Sequence, residues 1–256
     1  MILVFGGTTE GNQVISTLEE LGLDFVYSTK SKLELTLPPN GVYRSGAMTP
    51  EGLTDFIEEH EIEVIINAAH PFASELHHTI DQAREKKRTE VIRLERTYPE
   101  HVRHDSIHYV ETYVEAQQLL MDRFYGKRGL MLTGVQSIPV FKAFWSENEC
   151  YFRIINRRTS LEIAEDAGFP AKQLVLEDAK ALIGGEEELI DRLGIDFMVT
   201  KESGKSGALD HKMEIAVNTD IPLVIIKRPQ LPSTFKIVEN ITALRSILNL
   251  LNGVKQ

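Results

Sequence analysis

Six residues near the start of the chain have the types and spacing to hold a phosphate: Gly6-Gly7-Thr8-Thr9-Glu10-Gly11. They follow an apolar run, Ile2–Phe5, and open a helical pattern with Val14, Ile15, Leu18 and Leu21 on one face. In such a turn, backbone amides and a helix N-terminus can approach a pyrophosphate, because glycine adds no Cβ to block it. Gly6 and Gly11 keep the first-to-last spacing of G-x-G-x-x-G, with Thr8 at the middle position and Gly7 beside it. The Thr8 and Thr9 hydroxyls can add donors. Asn12-Gln13 follow Gly11 where a P-loop requires Lys and Ser/Thr, so a triphosphate loop is excluded. The alternative is a structural turn that holds no ligand.

The end of the second strand discriminates between dinucleotides: an acid there binds a ribose 2′-OH, and a cation without the acid suits a 2′-phosphate. Ser28-Thr29-Lys30-Ser31-Lys32 offers hydroxyls and lysines, which favours NADPH and leaves NADH open. A second motif, Asn67-Ala68-Ala69-His70-Pro71-Phe72-Ala73, leaves another strand end. There His70 either meets a ligand or moves a proton, or it merely caps the following helix. The other histidines (His60, His77, His78, His101, His104, His108, His211) read as polar helix faces or loops, and no metal-ligand spacing is present.

Cations recur at strand ends: Arg93 and Arg96; Arg153, Arg157 and Arg158; Lys201 and Lys205, with Lys212 further on; Lys227 and Arg228. The net charge is −10, from 28 basic and 38 acidic residues, so these clusters stand against an acidic background and point to a polyanionic small ligand. The same acidity argues against nucleic acid as a partner. Ser203-Gly204 with Ser206-Gly207 could form a backbone anion nest, and Thr133-Gly134 opens another polar loop.

The elements that position these residues alternate strand and helix, the α/β pattern. Strands are expected at 2–5, 24–28, 42–44, 63–68 and 90–94, and helices at 12–21, 50–57 and 72–86. Residues 97–106 read as a polar linker. Beyond it come helices at 113–123, 138–145, 186–193 and 242–251, and strands at 130–133, 151–155, 197–200 and 223–226. Two domains follow: residues 1–97, dinucleotide-binding, and 106–256, substrate-binding. No run nears the roughly 20 apolar residues of a membrane span. The single cysteine, Cys150, forbids an internal disulfide, and a reducing, cytoplasmic setting is expected. A monomer is expected.

Taken together, the motifs resemble those of the precorrin-6A (cobalt-precorrin-6A) reductases of cobalamin biosynthesis. The resemblance rests on ILVFGGTTEG at the N-terminus, NAAHPFA at 67–73, RLER at 93–96, LTGVQSIPVF at 132–141, TKESGKSG from 200 and IIKRP at 225–229. Asn67 and Ala69 stand where the family has Asp and Thr. It implies two Rossmann-like parallel-sheet domains with an active-site cleft between them. It also implies hydride transfer from NAD(P)H to a ring double bond of precorrin-6A, a tetrapyrrole rimmed with carboxylates. On that reading Gly6, Gly7, Thr8, Thr9, Glu10, Gly11, Thr29, Lys30, Gly46, Ala47, Met48, His70 and Pro71 hold the cofactor. Arg93, Arg96, Thr133, Gly134, Lys201, Ser203, Gly204 and Lys212 hold the substrate. His70 and Lys201 are the candidate proton donors, and no metal is expected. The rivals are another nicotinamide-dependent reductase and a non-catalytic nucleotide-sensing module. A Tyr-x-x-x-Lys pair, the mark of short-chain-type reductases, is missing after Tyr98, Tyr109, Tyr113 and Tyr125.

Overall fold

A computed structural model describes residues 1–177, 185–204 and 207–253. The chain forms two compact units, one of Met1–Thr97 together with the segment from Pro229 onward, the other of Tyr98–Arg228.

The first unit begins with β1 (Ile2–Phe5), α1 (Thr9–Glu20), β2 (Phe25–Thr29), β3 (Gly41–Ser45), α2 (Pro50–Glu59), β4 (Val64–Asn67), α3 (Ser74–Lys87) and β5 (Glu90–Leu94). The second unit runs β6 (Ile107–Val110), α4 (Tyr113–Arg123), β7 (Gly129–Leu132), α5 (Lys142–Trp145), β8 (Cys150–Ile155), α6 (Arg158–Asp166), β9 (Leu174–Glu177), α7 (Glu186–Leu193), β10 (Phe197–Lys201), α8 (Leu209–Thr219) and β11 (Leu223–Ile226). The chain then returns to the first unit as β12 (Lys236–Val238) and α9 (Ile241–Gly253).

Each sheet has six strands, all paired in parallel. Their orders are β12-β5-β4-β1-β2-β3 and β6-β11-β10-β7-β8-β9. Both follow the doubly wound dinucleotide-binding order, with a strand from elsewhere in the chain added at the far edge. The inner strands are apolar because both faces are covered: ILVF in β1 and LVII in β11 are buried throughout. In the first sheet, Val4, Tyr27 and Ile66 face Leu18 of α1 and Leu244 and Leu248 of α9. Leu3, Val26 and Ile65 face Leu53 and Ile57 of α2 and Ile80 of α3.

The two-domain expectation needs one correction. The C-terminal segment does not belong with 106–256: β12 pairs with β5, Lys236 opposite Ile92, and α9 packs on the first core. The expected linker is also tied down in the second unit. His101 stacks on Tyr109 at 4.4 Å and meets Glu202 at 2.8 Å, the Val102 amide donates to the Tyr109 hydroxyl, and the Arg228 guanidinium lies over the Tyr98 ring. The helix expected over 138–145 shrinks to Lys142–Trp145: a 3-10 turn at Val135–Ser137 precedes it, and the Ile138 and Lys142 amides bond three residues back, to Val135 and Pro139.

Candidate functional site

The glycine turn sits at the C-terminal edge of the first sheet, between β1 and α1. Thr8 is the N-cap: its hydroxyl accepts the Gly11 amide at 3.0 Å and donates to the Ala68 carbonyl at 2.6 Å. Gly7 has φ +86, a conformation that costs any residue with a Cβ. The reason for Gly6 and Gly11 differs from the expected one. A Cβ on Gly6 would stand 2.2 Å from the Tyr27 hydroxyl, and one on Gly11 2.5 Å from it. These two glycines make room for a buried tyrosine of β2, whose hydroxyl accepts the Gly7 amide at 2.7 Å. The Gly6 amide donates to the Ser28 carbonyl. The Thr8 hydroxyl and the glycine amides are therefore committed internally. Thr9 and Glu10 open α1, so their amides have no acceptor within the helix, and the Thr9 side chain is exposed. These groups, with the positive end of the helix dipole, can receive a phosphate.

Glu10 would repel that phosphate if left alone. Instead its carboxylate pairs with Arg96 at 2.9 Å, both side chains being largely enclosed. Arg96, expected as a substrate contact, thus also neutralises the acid of the turn.

At the end of β2, Thr29 is buried; its hydroxyl donates to the Ser31 carbonyl and also contacts the Tyr43 hydroxyl at 2.8 Å. Tyr43 in turn accepts the Leu33 amide. Thr29 shapes the loop after β2, so its hydroxyl is not offered to a ribose. Lys30 is highly exposed, with Glu75 at 3.8 Å. Gly46 donates to the Thr29 carbonyl, Ala47 is exposed, and Met48 packs against the core beside Leu53. The sequence reading passed over Arg44. Its Nη1 donates to the Ser28 hydroxyl at 2.6 Å and its guanidinium stands over the Phe56 ring at 5.7 Å.

The motif after β4 is held by a buried polar network. Asn67 and His77 are buried, contrary to the expectation of a polar helix face for His77. His77 Nδ1 lies 3.0 Å from Asn67 Nδ2, and its Nε2 lies 3.3 Å from the Pro71 carbonyl. With the amide as donor to Nδ1, His77 is a neutral ring whose Nε2–H donates to Pro71. Burial and the neighbouring Arg93 push its pKa down to about 4. Arg93 is wholly enclosed: it donates to the Ala69 carbonyl at 2.7 Å and to Asn67 Oδ1 at 3.1 Å, and pairs with Glu95 at 3.2 Å. It fixes the strand-end loop and cannot also clamp a substrate. His70 is half-buried, and its Nδ1 accepts the Phe72 amide at 3.1 Å. Its neutral form therefore carries the proton on Nε2.

In the second unit, Lys201 ends β10 and is half-buried. The Ser203 amide and hydroxyl both donate to the Lys201 carbonyl, and the Gly207 amide donates to the Gly204 carbonyl. This winds the loop tightly; Ser206 and Lys205, part of the expected nest and cation cluster, lie outside the described residues. Lys212 is buried and its ammonium donates to the Gly207 carbonyl. Burial, with Arg153 nearby, pushes its pKa down to about 8. Lys212 acts as a clamp on this loop rather than as an exposed substrate contact. Thr133 is likewise buried, its hydroxyl 2.5 Å from that of Ser137, while Gly134 turns the backbone there with φ +80. A further buried pair, Arg153 with Glu186 at 2.7 Å, lies behind Lys212.

The model of the family described as "Precorrin-6x reductase CbiJ/CobK" matches residues 1–250. The chain belongs to this family. A cobalt-precorrin-6A reductase of Priestia megaterium is 29% identical over 239 residues, 90% of this chain and 91% of the relative. A precorrin-6A reductase of Rhodococcus erythropolis is 26% identical over 245 residues, 94% of each chain. A solved structure titled CobK precorrin-6A reductase superposes with a TM-score of 0.79 at 23% identity, covering 97% of this chain and 96% of that one, and shows the same fold. The family comprises cobalamin-biosynthesis oxidoreductases acting on a CH–CH bond. Among the described residues no helix is long and apolar enough to cross a membrane, and no cluster of metal-ligating side chains occurs.

For a precorrin-6x reductase, a nicotinamide donor is in keeping with the chemistry, and the first unit fits one. The turn ends in the N-terminus of α1, its acid is neutralised by Arg96, and a cation stands at the end of β3. The sequence-predicted residues therefore divide. Thr9, Glu10, Ala47, His70, Lys201 and Ser203 stay partly or wholly accessible. Arg93, Thr29, Thr133 and Lys212 are enclosed and build the loops instead.

Proposed function

We propose that this chain reduces a ring double bond of a precorrin-6A-type tetrapyrrole, with NADPH as hydride donor. The observation that carries the donor reading is the turn at Gly6–Gly11, at the C-terminal edge of a sheet in the dinucleotide-binding order. When bound, the cofactor supplies the hydride. The first unit's residues would hold it: the amides opening α1 and the Thr9 hydroxyl at the pyrophosphate, the loops after β2 and β3 at the adenosine end, and the His70–Pro71 segment beside them. On the second unit, Lys201, the loop that Ser203 shapes up to Gly204, and the Gly134 turn would lie against carboxylates of the macrocycle, with the Lys201 ammonium as the charged partner. Lys212 and Thr133 keep those loops in shape.

Reduction also needs a proton at the neighbouring carbon. His70 Nε2 and the Lys201 ammonium are the proposed donors. The substrate is proposed without assigning cobalt, and the chain is proposed to act as a cytoplasmic monomer. Anaerobic incubation with metal-free and with cobalt-bearing precorrin-6A, each with NADPH or NADH, tests the reading at the nicotinamide absorbance band. Acceptor-dependent oxidation is expected; none with either acceptor and either cofactor would overturn it. His70→Gln and Lys201→Met then separate the donors: the true one loses far more in kcat than its change in KM accounts for, and the other changes mainly KM.

A further inference from the structure

We infer that Arg44, at the end of β3, is the residue that selects NADPH by pairing with its 2′-phosphate. This rests on the proposal that the first unit binds a nicotinamide dinucleotide. Arg44 is reached from the glycine turn through two contacts: the Gly6 amide donates to the Ser28 carbonyl, and the Ser28 hydroxyl accepts from Arg44 Nη1 at 2.6 Å. The end of β2 is where dinucleotide folds meet the adenosine ribose, and where a carboxylate binds the 2′-OH of NADH. Here that end carries two buried hydroxyl residues, Ser28 and Thr29.

The guanidinium is held in place before any ligand arrives. Ser28 fixes one nitrogen, and Phe56 of α2 lies under the fork. Among the described residues no carboxylate pairs with it, whereas Arg93, Arg96, Arg153 and Arg228 each have one. Partial burial accordingly lowers the Arg44 pKa from the ordinary arginine value, with no acid to offset it. A dianionic phosphate would supply the missing partner in the bidentate geometry that arginine suits. Lys30, the residue favoured by sequence alone, is highly exposed beside Glu75 and has no such scaffold.

The test titrates NADPH and NADH by nicotinamide fluorescence against the full chain and its R44Q, R44K and K30A variants. Adenosine 2′,5′-bisphosphate and AMP serve as competitors. R44Q is expected to weaken NADPH and the bisphosphate by roughly 10- to 100-fold and to leave NADH and AMP within about twofold. R44K should fall between, because it keeps the charge and loses the fork. Unchanged NADH binding doubles as the check that R44Q is folded. Should R44Q fail to fold, R44K carries the test: an undiminished preference for the bisphosphate over AMP in R44K overturns the bidentate pairing. An intact NADPH preference in R44Q, or its loss in K30A instead, overturns the assignment to Arg44. A wild-type chain that binds NADH but shows no preference for NADPH overturns it as well. A wild-type chain that binds neither nucleotide overturns the cofactor reading beneath it.

Discussion

His77 gives the fold a specific acid sensitivity. In the folded chain it is enclosed beside Arg93, and its pKa lies at about 4 rather than 6.5. In the unfolded chain it protonates near its ordinary value. As pH falls, the unfolded state takes up a proton that the folded state refuses, so stability must fall. The loss begins below 6.5 and levels off below about 4. Linkage over that interval gives a loss of about 2 kcal/mol between roughly pH 7 and pH 5, and about 3 kcal/mol at the low-pH limit. The assay is urea unfolding followed by far-UV circular dichroism, comparing the wild-type chain with His77→Gln across this range. His108 also has a lowered pKa, through burial, but contributes to both proteins and cancels in the difference. The variant should start less stable at neutral pH and show a slope flatter by about the stated amount. An NMR titration of the His77 ring midway near 6.5, or equal slopes in the two proteins, would refute the argument.

The Gly6→Ala change places a Cβ 2.2 Å from the Tyr27 hydroxyl and should cost about 3 kcal/mol in thermal unfolding. Gly7→Ala meets only ordinary contacts, the nearest at 3.6 Å, and should cost about 1 kcal/mol through its positive φ. Equal losses would contradict the roles given to the two glycines. Glu186→Gln leaves Arg153 short of a buried partner and should destabilise the second unit by about 3–5 kcal/mol, read from Trp145 fluorescence during urea unfolding. The double change Arg153→Met with Glu186→Leu should recover much of that loss. Cys150 is buried and its thiol is pushed up to about 12, so it should resist alkylation in the native chain and react only in denaturant.

Sequence reasoning read the first unit well up to β5, because its strands are short apolar runs and α2 opens on the Thr49 cap and Pro50; α1 begins at Thr9, three residues before the expected start, because Thr8 serves as its cap. It missed β6, β9 and β12, which lie at or beside sheet edges and lack that pattern. In β12 only Val238 of Lys236–Val238 is buried, and the strand exists because β5 offers it a backbone ladder. Long-range pairing of that kind leaves no local periodicity. The family's motifs were legible as strings, but the division of labour inside them was not. His77 looked like one more histidine on a charged helix, and its burial follows from contacts with Asn67 and Pro71. Arg44 closed the expected strand 42–44 with no role assigned to it, and its contacts with Ser28 and Phe56 are ones that a linear pattern does not display.

The strand-end cations show how a correct premise can carry a weaker conclusion than it first suggests. Arg93 pairs with Glu95, Arg96 with Glu10, Arg153 with Glu186, Lys227 with Glu111 and Arg228 with Glu202. An internal pair has no net charge, so its pull on an anion falls off much faster than that of a lone cation. Such pairs hold the loops in which they lie, by tying a strand end to the acid beside it. On the proposed reading, anion affinity in the first unit comes from short-range groups: the N-terminus of α1 and the guanidinium of Arg44. In the second unit the same reading rests on loop geometry: Lys212 and Ser137 hold the backbone of the loops in which Ser203 and Gly134 lie. The arrangement suits a chain of net charge −10. A broad positive field is difficult to build on such a surface, whereas a few preorganised donors can still favour an anion of the right shape over other anions.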